Sequence, residues 1–107
     1  MRVWLTIFIF LLTLSSSITA QTNGKDIFEK SCKLCHGADG KGNPAVAGMM
    51  KIEPERLNLT KQETKNKKDS ELKEIVTQGN AKMKGFKDRL KPEEIILAVS
   101  HIRALQK

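Results

Sequence analysis

The chain has 107 residues, with 19 Lys and Arg against 12 Asp and Glu, a formal net charge of +7 and 5% aromatic residues. Such a length admits one small domain with a modest core, which usually needs a staple beyond hydrophobic packing. The basic excess suits an acidic protein partner or an anionic surface, while the few aromatics and the lack of a recognised binding motif argue against nucleic acid.

Met1-Arg2 is a short positive head, Val3 to Leu14 is almost continuously apolar, and Ser15 to Ala20 is rich in the small residues a cleavage site needs. The apolar run is about twelve residues, short of the roughly 20 that a spanning helix requires. The reading is a signal peptide over 1–20, cleaved near Ala20, and one exported, periplasmic domain over 21–107. An uncleaved membrane anchor is the alternative; with no Cys directly after the apolar run, in Ser15 to Ala20, a lipid anchor is disfavoured. Loss of the leader removes Trp4, Phe8 and Phe10, which leaves Phe28 and Phe86 as the aromatics available to a core.

A first helix is expected from Asn23 or Gly24 to about Leu34, with Ile27, Phe28, Ser31 and Cys32 on adjoining faces. Gly24 lies one turn before Phe28, where a small residue either starts the helix or admits a neighbouring one. The helix leads into Cys32-Lys33-Leu34-Cys35-His36, a C-x-x-C-H, which in an exported protein reads as the attachment site of a c-type haem. Two intervening residues bring both thiols to one side of a backbone turn, where each can form a thioether with a vinyl group on the same porphyrin edge. The imidazole of His36 then lies beneath the ring and takes one axial position on iron. A disulfide across so short a loop would constrain little of the unfolded chain. A zinc site from Cys32, Cys35, His36 and His101 would need both immediate neighbours and a distant fourth ligand. A covalent haem also supplies the apolar mass and the cross-link that this composition lacks.

Gly37 to Pro44 is a glycine-rich turn without the strand and the GK[ST] ending of a phosphate-binding loop; its glycines let the backbone wrap tightly after the axial His. A ligating His usually donates its second ring N–H to a carbonyl, and Pro44 is the expected acceptor position. Ala45 to Met50 reads as one turn of helix. Glu53 to Thr60 reads as irregular chain with Leu57 and Leu59 inward and with Arg56, Asn58 and Thr60 as donors toward haem propionates; solvated surface is the alternative for these three. Lys61 to Lys68 reads as an exposed loop. Asp69-Ser70 caps a helix to about Gln78, with Leu72, Ile75 and Val76 as its apolar stripe and Gly79 as its stop. Gly79 to Leu90 reads as a loop. Pro92 opens the last helix, where Ile95, Val99, Ile102 and Leu105 form one buried face and Arg103 and Lys107 lie near the negative end.

The candidates for a second axial ligand are Met49, Met50, Met83 and His101. Met83 is preferred, because a loop between two helices, flanked by Gly79 and Gly85, can fold over the opposite face of the ring. Met49 and Met50 lie in an apolar segment where Met is commonly core filler, and His101 lies at the edge of a packed helix face. An open site is the remaining possibility.

Taken together, Gly24 and Phe28 before the haem motif, Gly37-Ala38-Asp39-Gly40-Lys41-Gly42 after it, and Lys82-Met83-Lys84-Gly85-Phe86 further on resemble the small monohaem class I cytochromes c of bacteria. Leu90 to Ile95, leading into Val99 to Leu105, completes the resemblance. It implies an all-α fold, with three main helices and loops wrapped around one covalent haem c and with the first and last helices crossing. It also implies thioethers at Cys32 and Cys35, with His36 and Met83 on iron. In this family Pro commonly follows the ligand Met, where this chain has Lys84, and an aromatic residue usually stands where this chain has His101.

The function expected is that of a non-enzymatic single-electron carrier between periplasmic or membrane-bound redox partners. Lys82, Lys84, Lys87, Arg89 and Lys91 flank the expected ligand and form a basic ring for an acidic oxidase, reductase or dehydrogenase. Membrane contact would come only through such a partner or through an uncleaved signal. The alternative is a haem-binding subunit of a redox enzyme, sulfur-oxidising or peroxidase-like, with a labile sixth ligand. No distal acid–base group in the chain supports that alternative.

Overall fold

The computed structural model describes residues 23–107, and the leader expected over 1–20 lies outside them. Helix α1 spans Gly24–Ser31 and α2 Lys33–His36; α3 is Pro44–Met50 and is followed by a 3-10 turn at Pro54–Leu57. Then come α4 (Gln62–Lys65), α5 (Asp69–Gln78), a hairpin of β1 (Gly79–Asn80) and β2 (Met83–Lys84), and α6 (Pro92–Leu105). The three longest helices, α1, α5 and α6, carry most of the buried side chains, and α6 packs against both of the others.

Local chemistry accounts for the helix starts. The Asn23 side chain accepts a hydrogen bond from the Asp26 amide at 2.9 Å, satisfying one of the free N–H groups at the α1 N-terminus. Asn43 caps α3 by accepting from the Ala45 and Val46 amides at 3.1 and 3.4 Å, with Pro44 as the first helical residue. At α6 the carboxylate of Glu94 accepts from the Lys91 amide at 3.0 Å, and Pro92 again stands where its missing N–H costs nothing.

Two small hydrophobic clusters share α6. Phe28, Cys32 and Ile102 form one, with Leu59 and Leu105 at its edge. Leu72, Val76, Phe86, Ile95 and Val99 form the other, with Met83 and Leu90 packed against it. The spacing of Ile95, Val99 and Ile102 keeps all three on one side of α6 and so links the clusters.

Several elements differ from the sequence expectation. The first helix breaks at Cys32, whose φ of −121° and ψ of −31° leave the helical region, and resumes as α2 through His36. The expected loop over Lys61 to Lys68 contains α4, which buries Thr64; a single inward residue among lysines and amides produces no periodicity. At α5 the N-cap position belongs to Lys68 rather than Asp69 or Ser70, and Glu71 accepts from the Lys68 amide at 3.4 Å. Gly79, at φ +85°, does end α5, and the loop beyond it holds the β1–β2 hairpin. Past the hairpin, the Phe86 and Lys87 amides donate to the Val76 and Thr77 carbonyls at 2.8 and 3.1 Å, satisfying groups at the α5 C-terminus.

Candidate functional site

Cys32 is buried at the break between α1 and α2, and Cys35 lies nearer the surface one turn later. Burial pushes the Cys32 thiol up to about 11, and the neighbouring Cys35 adds to the rise. His36 closes α2. Gly37 follows it at φ +78°, and the chain then doubles back so that the Gly42 and Asn43 amides donate to the His36 and Cys35 carbonyls at 2.7 and 2.9 Å. The Asn43 side chain also donates to the Leu34 carbonyl at 3.0 Å, which ties the start of α3 to the C-x-x-C-H segment.

The orientation of the imidazole comes from further along the chain. His36 Nδ1 lies 2.8 Å from the Leu57 carbonyl, so Nδ1 carries the proton and Nε2 keeps the free lone pair that a metal requires. Gly42 makes this possible. A Cβ there would stand 3.0 Å from the Pro54 carbonyl oxygen and 3.2 Å from Leu57 Cβ, so a side chain would hold the 54–57 turn away from the histidine. Burial lowers the His36 pKa, and the hydrogen bond to Leu57 offsets part of that. The acceptor is therefore Leu57 and not Pro44, the position expected from the sequence. Pro44 is exposed at the first position of α3, where its carbonyl points along the helix toward the amide four residues on.

One cleft joins these groups. Leu59, Leu72, Ile75, Val76 and Ile102 form its apolar walls, and Cys32, His36 and Met83 line it with them. It thus brings together a thiol, an imidazole oriented by its second nitrogen and a thioether in an otherwise apolar setting. That donor set fits a haem, whose iron takes imidazole and thioether and whose ring needs apolar walls. A larger groove of about 280 Å³, lined by Lys73, Thr77, Lys87, Leu90, Pro92, Ile95 and Ile96, contains no such donor.

Of the four candidates for a second axial ligand, Met83 lines this cleft. Met49 is 83% exposed on α3, and the Met50 carbonyl accepts from Lys82. His101 packs on Phe28, with ring centroids 5.1 Å apart and planes at 56°. Among the described residues no group of three or more His, Cys, Asp or Glu side chains is placed to hold a metal ion, so the zinc set of Cys32, Cys35, His36 and His101 is not assembled. Arg56 is exposed, while Asn58 is engaged locally. Its amide donates to Glu55 at 3.1 Å, and its carbonyl oxygen accepts from the Thr60 amide and hydroxyl at 2.8 and 2.7 Å. Lys82, Lys84, Lys87, Arg89 and Lys91 are all exposed, with the Arg89 guanidinium 4.4 Å from the centre of the Phe86 ring.

Three contacts important to the site had no sequence signal. They are the Leu57 carbonyl on His36, the Lys82 ammonium on the Met50 carbonyl, and Gln106, whose side chain donates to the Leu59 carbonyl at 2.8 Å and so steadies one wall of the cleft. Each ends on a backbone carbonyl, which every residue carries.

The family model for cytochrome c matches residues 21–106. Among solved structures, the KustC0563 c-type cytochrome is similar to this chain with a TM-score of 0.66 and 26% sequence identity, over 80% of this chain and 100% of that one. No curated protein matches the chain.

Proposed function

The chain belongs to the cytochrome c family, has its class I fold and covalently bound haem c, and on that premise we propose a single-electron carrier with Cys32 and Cys35 as thioether attachment points and His36 and Met83 as the two axial ligands. The observation that supports this reading is the apolar cleft lined by His36 and Met83 together, with the His36 Nδ1 proton already committed to the Leu57 carbonyl. The bound haem supplies a one-electron ferrous–ferric couple. His36 is held in one tautomer and one ring orientation by that carbonyl, which also raises the basicity of Nε2. The Met83 thioether, paired with an imidazole, favours a raised reduction potential. Leu59, Leu72, Ile75, Val76 and Ile102 keep water from the metal and lower the local dielectric, which favours the form with less net charge.

The carrier works in the periplasm between membrane-bound or soluble redox proteins and has no substrate of its own. Its exposed basic residues around Met83 steer an acidic partner, an effect that weakens with added salt.

The test is an absorption spectrum of protein exported by a host with haem-attachment machinery, oxidised and reduced, beside Met83→Ala, with and without carbon monoxide. A low-spin spectrum indifferent to carbon monoxide until Met83 is removed is the expected result. Carbon monoxide binding to the unmodified protein would replace this reading with an open-site redox-enzyme subunit. Absence of haem would overturn both.

A further inference from the structure

The hairpin carrying Met83 has few restraints of its own. Its ladder pairs Gly79 with Lys84 and Asn80 with Met83, and its turn contains Ala81 at φ +48°, a left-handed conformation that is unfavourable for a residue with a Cβ. From this turn Lys82 reaches a segment 32 residues away in sequence and donates from Nζ to the Met50 carbonyl at 2.7 Å. Met50 is the last residue of α3, so its carbonyl belongs to the group that a helix end leaves without an intrahelical partner. Lys51 follows in the left-handed conformation at φ +57° and turns the chain away, leaving that carbonyl open to an incoming donor. The other end of α3 is bound to the haem-attachment segment, because Asn43 caps the helix and donates to the Leu34 carbonyl. A continuous path therefore runs from the segment carrying His36 through Asn43, α3 and Lys82 to Met83.

We propose that Lys82 is a positioning residue that latches the Met83 loop to the end of α3 and so holds the thioether in place over the cleft. This role rests on Met83 being the second axial ligand. Besides the hairpin ladder and the packing of Met83 on the Leu72–Phe86 cluster, the hydrogen bonds from the Phe86 and Lys87 amides to α5 lie beyond Met83 in the chain, and Lys84 gives none of the backbone rigidity of a proline at that position. With the latch released, the thioether leaves the metal more often, and an external ligand enters more readily.

The test follows the rate at which imidazole binds to the oxidised holoprotein, beside the denaturant midpoint, for the unmodified protein, Lys82→Met, Lys82→Arg and Met83→Ala. Lys82→Met keeps the length and apolar stem of the side chain and removes the donor. It should bind imidazole roughly three- to tenfold faster, as loss of one hydrogen bond implies, with the unfolding midpoint falling by no more than that one bond accounts for. Lys82→Arg should restore slow binding. If Lys82→Met binds at the unmodified rate while Met83→Ala binds fast, the latch is overturned and the axial assignment stands. A loss of global stability well beyond that of one hydrogen bond would overturn the positioning role, because Lys82 would then be a general structural contact. Unmodified and Met83→Ala proteins binding at the same rate would overturn the assignment of Met83 and the latch with it.

Discussion

Gly24 of α1 meets the backbone of Leu97 of α6 so closely that a Cβ at residue 24 would stand 2.1 Å from the Leu97 carbonyl oxygen and 2.9 Å from its carbonyl carbon. The two helices thus pack main chain against main chain at this point, one turn before Phe28 enters the core. The obstacle is backbone, which cannot rotate away. Gly24→Ala therefore sets two effects against each other. Alanine favours a helix over glycine by about 0.5–1 kcal/mol, whereas forcing extra volume into a packed contact costs about 1–3 kcal/mol. The steric cost outweighs the helix preference, so the variant should unfold at a lower temperature, by several degrees for a domain of this size. An equal or raised Tm in thermal unfolding of the holoprotein would show that the crossing is looser than this.

Asn43 uses both ends of its side chain. Its oxygen caps α3 through the Ala45 and Val46 amides, and its nitrogen donates to Leu34. Asn43→Ala should cost about 1–2 kcal/mol, the usual range for a lost cap with an added hydrogen bond. Asn43→Asp keeps the acceptor and removes the donor, so denaturant unfolding should place it between the unmodified protein and Asn43→Ala. An Asp variant as unstable as Ala would mean that the bond to Leu34, rather than the cap, carries the effect.

What was legible in the sequence follows the type of restraint involved. The last helix was readable because Ile95, Val99 and Ile102 repeat at helical spacing, and Gly79 because a helix end often needs a positive φ. Met83 stood out as the apolar residue of a polar loop between glycines, and it lines the cleft. The His36 acceptor was not readable. Leu57 contributes a carbonyl, 21 residues from His36, and its place was hidden until the Gly42 turn had folded. The hairpin leaves no sequence signal because two-residue strands show no alternation, and α4 leaves none because Thr64 alone is buried there.

The sign of the acid sensitivity follows from His36. Burial lowers its pKa below the ordinary 6.5, so as the pH falls the unfolded chain takes up the proton before the folded protein does. The contribution of this group is complete above about pH 6.5 and is lost as the pH falls through the lowered folded value. Iron on Nε2 would hold the ring neutral in both states, because the thioethers keep the haem beside it, so the effect belongs to the chain before haem attachment. Denaturant midpoints of the haem-free protein should fall from pH 7.5 to pH 5. A midpoint that rises over this range would contradict the assignment.

Arg103 near the end of α6 separates an ion pair from a set of carbonyl contacts. Its Nε donates to Asp69 at 2.8 Å, while its terminal nitrogens donate to the Lys65 carbonyl at 3.4 Å, to the Lys67 carbonyl and to Gln106 at 2.9 Å. The Asp69 side chain is 69% exposed, so the pair is screened and worth at most about 1 kcal/mol. The carbonyls need the planar fork, which joins α6 to the chain between α4 and α5. Asp69→Asn should therefore lower stability slightly, and added salt should abolish the difference from the unmodified protein. Arg103→Ala should cost about 1–3 kcal/mol with little dependence on salt. Arg103→Lys should recover only part of that, because one ammonium cannot reproduce the fork. Full recovery by lysine in denaturant unfolding would make charge, not geometry, the contribution of Arg103.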